Sequence, residues 1–98
     1  MFPVEVESVL NAHPAVSQSA VVGRSVDGDE EVVAFVELAP GAAAQPGELM
    51  EFAARSLAPY KRPSEVVILA ALPAAPSGKV LKGQLARMAR ELRPASEP

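Results

Sequence analysis

The segment Leu72-Pro73-Ala74-Ala75-Pro76-Ser77-Gly78-Lys79-Val80-Leu81-Lys82 carries the strongest chemical signal in the chain. Its two prolines and its glycine fix a loop, and a helical apolar pattern starts directly behind it. Lys79 stands at that junction. The positive end of a helix opposes a lysine by about 0.3–1 kcal/mol, so a cation here breaks a local rule, as functional sites often do. Gly78 lets the backbone come close to a ligand, and Ser77 with Gly78 forms the supporting loop. The implied chemistry is an ammonium group presented to an anion on a stiff loop tip. The plainer alternative is a solvated lysine that happens to begin a helix. Short motifs match often by chance, so spacing alone favours the plainer alternative.

Composition closes off several other chemistries. The 98 residues contain no cysteine and one histidine, which excludes disulfides, thiolate metal sites and a histidine-built zinc centre. No metal site is expected. His13 has no neighbouring catalytic partner and reads as structural. Asp27, Asp29, Glu30 and Glu31 lack the ligand series of a calcium loop and read as a solvated acidic turn. Net charge is −3, yet it is unevenly spread: nine acids face one base in residues 1–51, and eight bases face three acids in residues 52–98. The second half is therefore expected to meet an anion. Nucleic acid is disfavoured by the acidic total and by bases that lack aromatic partners beyond Tyr60. No apolar run approaches the roughly 18 residues of a membrane span, and no signal peptide opens the chain. A cytoplasmic location is the default.

These residues need elements to place them. Pro3, Glu5 and Glu7 suit the start of a helix over about 3–11, with Val6, Val9 and Leu10 on one face. His13-Pro14 ends it. Val16 to Gly23 alternates as a strand, Asp27-Gly28-Asp29 signals a turn, and Glu31 to Leu38 reads as a buried strand, giving an antiparallel hairpin. Ala39 to Gly47 is a surface loop. A helix is expected over about 47–58 on the stripe Leu49, Phe52, Ala53 and Leu57, closed by Pro59. Val66-Val67-Ile68-Leu69 is a short strand, expected parallel to Val32–Leu38 through a right-handed crossover. Leu81, Leu85, Met88, Ala89 and Leu92 share a face of the last helix, with Arg87 and Arg90 opposite or flanking. The expected fold is α+β: a small three-stranded sheet with three packed helices over residues 1–93, and a disordered tail at 94–98.

Taken in order, these segments resemble one family. Pro3-Val4-Glu5-Val6-Glu7, Leu10, His13-Pro14, Val16 and Ala20-Val21-Val22-Gly23 look like the entry to the small C-terminal domain of adenylate-forming enzymes. Ala34-Phe35-Val36, Leu57-Ala58-Pro59-Tyr60-Lys61-Arg62-Pro63, Leu72-Pro73 and Ser77-Gly78-Lys79-Val80-Leu81-Lys82 continue the likeness over nearly the whole chain. It is most similar to the acyl-CoA synthetase, or acid–CoA ligase, branch.

The resemblance implies a function. In such enzymes a carboxylic acid attacks the α-phosphorus of ATP, supported by Mg2+, to give an acyl-adenylate; a thiol, usually that of coenzyme A, then displaces AMP. The small domain rotates between the two half-reactions. Lys79 matches the catalytic lysine of adenylation, which turns the spacing argument in favour of function. Tyr60 and Arg62 match residues that contact the nucleotide end of CoA; the plainer reading is a tyrosine closing a helix beside two solvated bases. The implied partners are the large N-terminal ATP-binding domain, a carboxylic acid, and either CoA or a carrier-protein pantetheine. No glycine-rich phosphate loop occurs in this sequence, and the large domain lies outside it, so the 98 residues alone are expected to be inactive. One alternative is the small subdomain of a peptide-synthetase adenylation domain serving a carrier protein. Those usually carry an aspartate-arginine pair where Leu81-Lys82 stands. Another is a noncatalytic protein-binding module.

Overall fold

The computed structural model describes residues 3–26 and 28–91; within them the side chains of Pro3, Val26, Asp29 and Tyr60 are not described. The elements run α1 (Pro3–Asn11), β1 (Val16–Val26), β2 (Asp29–Leu38), α2 (Pro46–Ser56), a 3-10 turn (Pro59–Lys61), β3 (Glu65–Leu69) and α3 (Lys82–Glu91). The sheet order is β1-β2-β3. β1 pairs antiparallel with β2, and β3 lies parallel to β2, as the strand–helix–strand order predicts. Gly28, at φ 84, turns the first hairpin. Leu92 and the 94–98 tail of the sequence-based expectation lie outside the described residues.

Strand alternation divides the core into two layers. Val21, Ala34, Val36 and Val66 pack against Val6 and Leu10 of α1, Leu49 and Ala53 of α2, and Leu57 just after it. Ala20, Val22, Val33 and Phe35 face the other way and pack against Leu72 with Leu85 and Ala89 of α3. β1 is an edge strand, and α1 covers part of that edge. The Val21 N–H donates to Glu7 Oε2 at 2.7 Å, and the Ser19 hydroxyl donates to Asn11 Oδ1 at 2.8 Å. Such cover removes a template for strand addition.

Among the described residues one charged side chain is buried inside this frame. Arg24 follows Ala20 and Val22 on the α3 face and is 3% exposed. Its guanidinium pairs with Glu31 across the hairpin, reaches Glu65 of β3 at 3.0 Å, and donates to the Ala89 carbonyl of α3 at 3.0 Å. Burial pulls its pKa down; the bonds to Glu31 and Glu65 outweigh that and hold it above its ordinary value. The expectation of β1 ended at Gly23 and assigned Arg24 no role. β1 instead continues to Val26, because Arg24 finds acceptors on three other elements.

Candidate functional site

Lys79 does not stand at a helix N-terminus, which corrects the expectation. Residues 73–81 form a small hairpin, and α3 begins only at Lys82. Leu81 N–H donates to Pro73 O at 2.9 Å, and Ala75 N–H to Lys79 O at 2.8 Å. Ala74 and Val80 form an antiparallel bridge between them. The tip is the turn Ala75-Pro76-Ser77-Gly78, closed by Gly78 N–H to Ala75 O at 2.8 Å. Proline suits the second place of such a turn, and Gly78, at φ 91, supplies the left-handed conformation that follows it. A Cβ at Gly78 would meet nothing within 4 Å, so the demand for glycine there is conformational.

The Lys79 side chain is exposed, and among the described residues no hydrogen bond or ion pair engages its ammonium. It borders an open groove of about 710 Å3 that continues along Val80, Leu81, Lys82, Gly83 and Gln84. The cation in the first turn of α3 is Lys82, and there the unfavourable helix end is offset. Its Nζ lies 2.7 Å from Glu7 Oε2.

The Tyr60-Lys61-Arg62 segment forms the tight turn that follows α2. Lys61 Nζ bonds Glu5 Oε1 at 3.0 Å. Arg62 donates from Nε to Leu57 O at 3.1 Å and from Nη2 to Ala54 O at 3.0 Å. These carbonyls belong to the C-terminal end of α2, so the guanidinium caps that helix. Arg62 is nevertheless exposed. The side chain of Tyr60 lies outside the description. Lys61 and Lys82 thus bond acids from the other half of the chain, so part of the charge asymmetry is internal. Arg55, Lys79, Arg87 and Arg90 remain exposed and without an ion pair among the described residues.

Sequence reasoning missed the residue that holds the entry of the Lys79 hairpin. Glu37 Oε1 accepts the Leu72 N–H at 2.9 Å and Gln18 Nε2 at 2.9 Å. These two bonds, the backbone one first, hold its carboxyl below the ordinary value of 4.5 against the opposing effect of burial. A depressed carboxylate contributes stability above 4.5 that is lost as pH falls through its folded value. The chain is therefore expected to be more stable than its Glu37→Gln variant near neutrality, and the difference should vanish in acid. Urea midpoints measured against pH check this; a difference that persists unchanged in acid contradicts it.

His13 takes no part in this region. Its Nδ1 accepts the Ala15 N–H at 3.0 Å and its ring meets Phe52 edge-on at 4.8 Å, a structural arrangement. Among the described residues no helix is long and apolar enough to cross a membrane.

Comparison with known proteins bears on this geometry. The chain is 45% identical over 80 residues to the medium-chain acyl-CoA ligase Mig of Mycobacterium avium, covering 81% of this chain and 14% of that protein. It is 38% identical over 86 residues to the fatty acid–[acyl-carrier-protein] ligase ScoC of Streptomyces coeruleorubidus, covering 87% of this chain and 17% of that one. Among solved structures, ATP-bound MatB from Rhodopseudomonas palustris superposes with a TM-score of 0.86 at 30% identity, over 94% of this chain and 18% of MatB. The chain therefore spans about a sixth of the length of such relatives, at most 17% of either ligase. The sequence profile of the AMP-binding enzyme C-terminal domain matches residues 5–79, with Lys79 as its last matched residue. With this sheet, these helices and that match, the chain belongs to the family of AMP-binding enzyme C-terminal domains.

Proposed function

We propose that this chain is the mobile C-terminal domain of an ATP-dependent acid–CoA ligase, and that it brings Lys79 to the reacting atoms during adenylation. The single observation that carries this reading is the lysine itself: an exposed ammonium, unengaged among the described residues, on a hairpin tip stiffened by proline and hydrogen bonds. In adenylation a carboxylate oxygen bonds to the α-phosphorus of ATP and the bond to pyrophosphate breaks. Negative charge gathers on the reacting oxygens, and a preorganised ammonium stabilises it there. The large domain supplies the phosphate site and the acid pocket. Among the described residues no three histidine or acidic side chains converge, so Mg2+ is assigned to the ATP phosphates and the large domain. For the second half-reaction the domain rotates, Lys79 leaves, and the Tyr60–Arg62 turn meets the nucleotide end of the incoming CoA.

Arg62 decides between two thiol donors. Two of its nitrogens already cap α2, which leaves Nη1 for the 3′-phosphate of CoA. If it makes that contact, Arg62→Ala raises KM for CoA by a factor equivalent to about 1–3 kcal/mol. The rise shrinks with added salt, and KM for ATP and acid stays unchanged. Pantetheine, which lacks the nucleotide, reacts almost equally with parent and variant. Equal damage with both thiols makes Arg62 a helix cap only. The capping bonds, together with the likeness to a carrier-protein ligase, support a second reading in which a carrier-bound pantetheine is the acceptor. Pantetheine matching CoA in the parent enzyme would favour it.

A further inference from the structure

The hairpin that presents Lys79 is held at both ends by carboxylates from distant elements. At its entry, the buried Leu72 gives its backbone N–H to Glu37 Oε1 at 2.9 Å. Glu37 is fixed in turn: it lies on the central strand, and Gln18 of β1 donates to the same oxygen at 2.9 Å. At the exit, Lys82 Nζ lies 2.7 Å from Glu7 Oε2, and that oxygen also accepts the Val21 N–H at 2.7 Å. Glu7 thereby joins α1, the outer edge of β1 and the start of α3. Leu72 at the entry and Val80 on the returning side pack on the layer around Phe35. Among the described residues no other hydrogen bond or ion pair ties the tip beyond Ala75 to the sheet, so these anchors set where the lysine points.

The two anchors differ in strength. A carboxylate accepting a backbone N–H has no lysine rotamers to order. The exit pair has Lys82 45% exposed against 18% for Glu7, so it is screened by salt and weaker. We propose that Glu37, with Glu7 in a lesser part, is a positioning residue for Lys79. The inference rests on the reading of Lys79 given above. It assigns Glu37 no contact with substrate. Six residues separate Leu72 from Lys79, so a small tilt at the entry displaces the ammonium at the tip. A misplacement of about 1 Å can cost on the order of 10²-fold in rate.

The test has a physical arm and a kinetic arm. In the 98-residue chain, amide exchange of Ala75 and Leu81, the hairpin donors, is compared with that of buried β2 amides. Glu37→Ala should speed the hairpin amides about tenfold while the β2 amides stay unchanged. Glu37→Gln, which keeps an acceptor oxygen, should restore most of the protection. Glu7→Gln should give a smaller effect, because it removes only the charge facing Lys82. In the enzyme carrying this domain, Glu37→Ala should lower kcat for adenylation at least tenfold, with KM for ATP little changed and thioester formation from supplied acyl-adenylate preserved. Unchanged hairpin exchange overturns the proposal, even where Lys79→Ala is inactive. Faster hairpin exchange with full adenylation overturns it as well. If Lys79→Ala itself adenylates normally, the reading of the site fails and the positioning role falls with it.

Discussion

Replacing Lys79 by alanine in the enzyme that carries this domain is expected to slow acyl-adenylate formation by about 10²–10³-fold, the effect typical of one preorganised charged contact. The size of the effect follows from where the residue sits. Among the described residues its ammonium engages no intramolecular partner, so the substitution breaks no bond of the fold and should leave stability nearly unchanged. The loss must then appear in rate. Lys79→Arg should recover little, because a planar guanidinium places its charge differently from a compact ammonium. Acetylation removes the same charge and should reproduce the alanine variant. Pyrophosphate release checks all three forms. A Lys79→Ala enzyme within about threefold of the parent would place the lysine outside the chemistry.

Arg24→Ala should have the largest effect on folding. Breaking a buried ion pair from one side typically costs about 3–5 kcal/mol. Glu31 and Glu65 are 31% and 36% exposed, so water reaches them. We therefore expect the lower end of that range, about 3 kcal/mol. A domain of this size has on the order of 5–15 kcal/mol in total, so the variant should unfold at a clearly lower urea concentration. Arg24→Lys should be nearly as damaging, because one ammonium cannot serve Glu31, Glu65 and the Ala89 carbonyl together. Adding Glu31→Gln and Glu65→Gln to Arg24→Met should return part of the loss, since the stranded charges are gone. A cost below about 1 kcal/mol for Arg24→Ala would mean that the network contributes no more than a surface pair does.

The residues that carry these two predictions were not equally legible in the sequence. Local chemistry exposed Lys79: prolines, a glycine and a lysine in a short run announce a loop with a cation on it. What stayed hidden was its shape. Ala75-Pro76-Ser77-Gly78 carries proline and glycine at the places a hairpin turn uses, yet the helical pattern behind it drew the helix start forward to Lys79 instead of Lys82. The strands and helices were readable because their periodicities are local, and parallel pairing of β2 with β3 follows from the intervening helix. Arg24 was harder. Its parity with Ala20 and Val22 was available as a signal, but a lone base among nine acids reads as a solvated charge until Glu65, 41 residues away, is brought beside it. The same holds for Glu37 and Leu72, which are 35 residues apart. Bonds across such distances are created by the fold and leave no spacing to read. Arg62 shows the converse: the motif marked the residue, and only the structure revealed that two of its nitrogens hold the end of α2.

In the proposed function the domain serves two reactions in two orientations and uses Lys79 in only one. The most direct measurement therefore takes one Lys79→Ala enzyme through both half-reactions in single-turnover experiments. Adenylation is started with ATP and the acid, and thioester formation with preformed acyl-adenylate and CoA. The expected result is adenylation slowed by about 10²–10³-fold beside thioester formation within about twofold of the parent. An equal loss in both halves would contradict it.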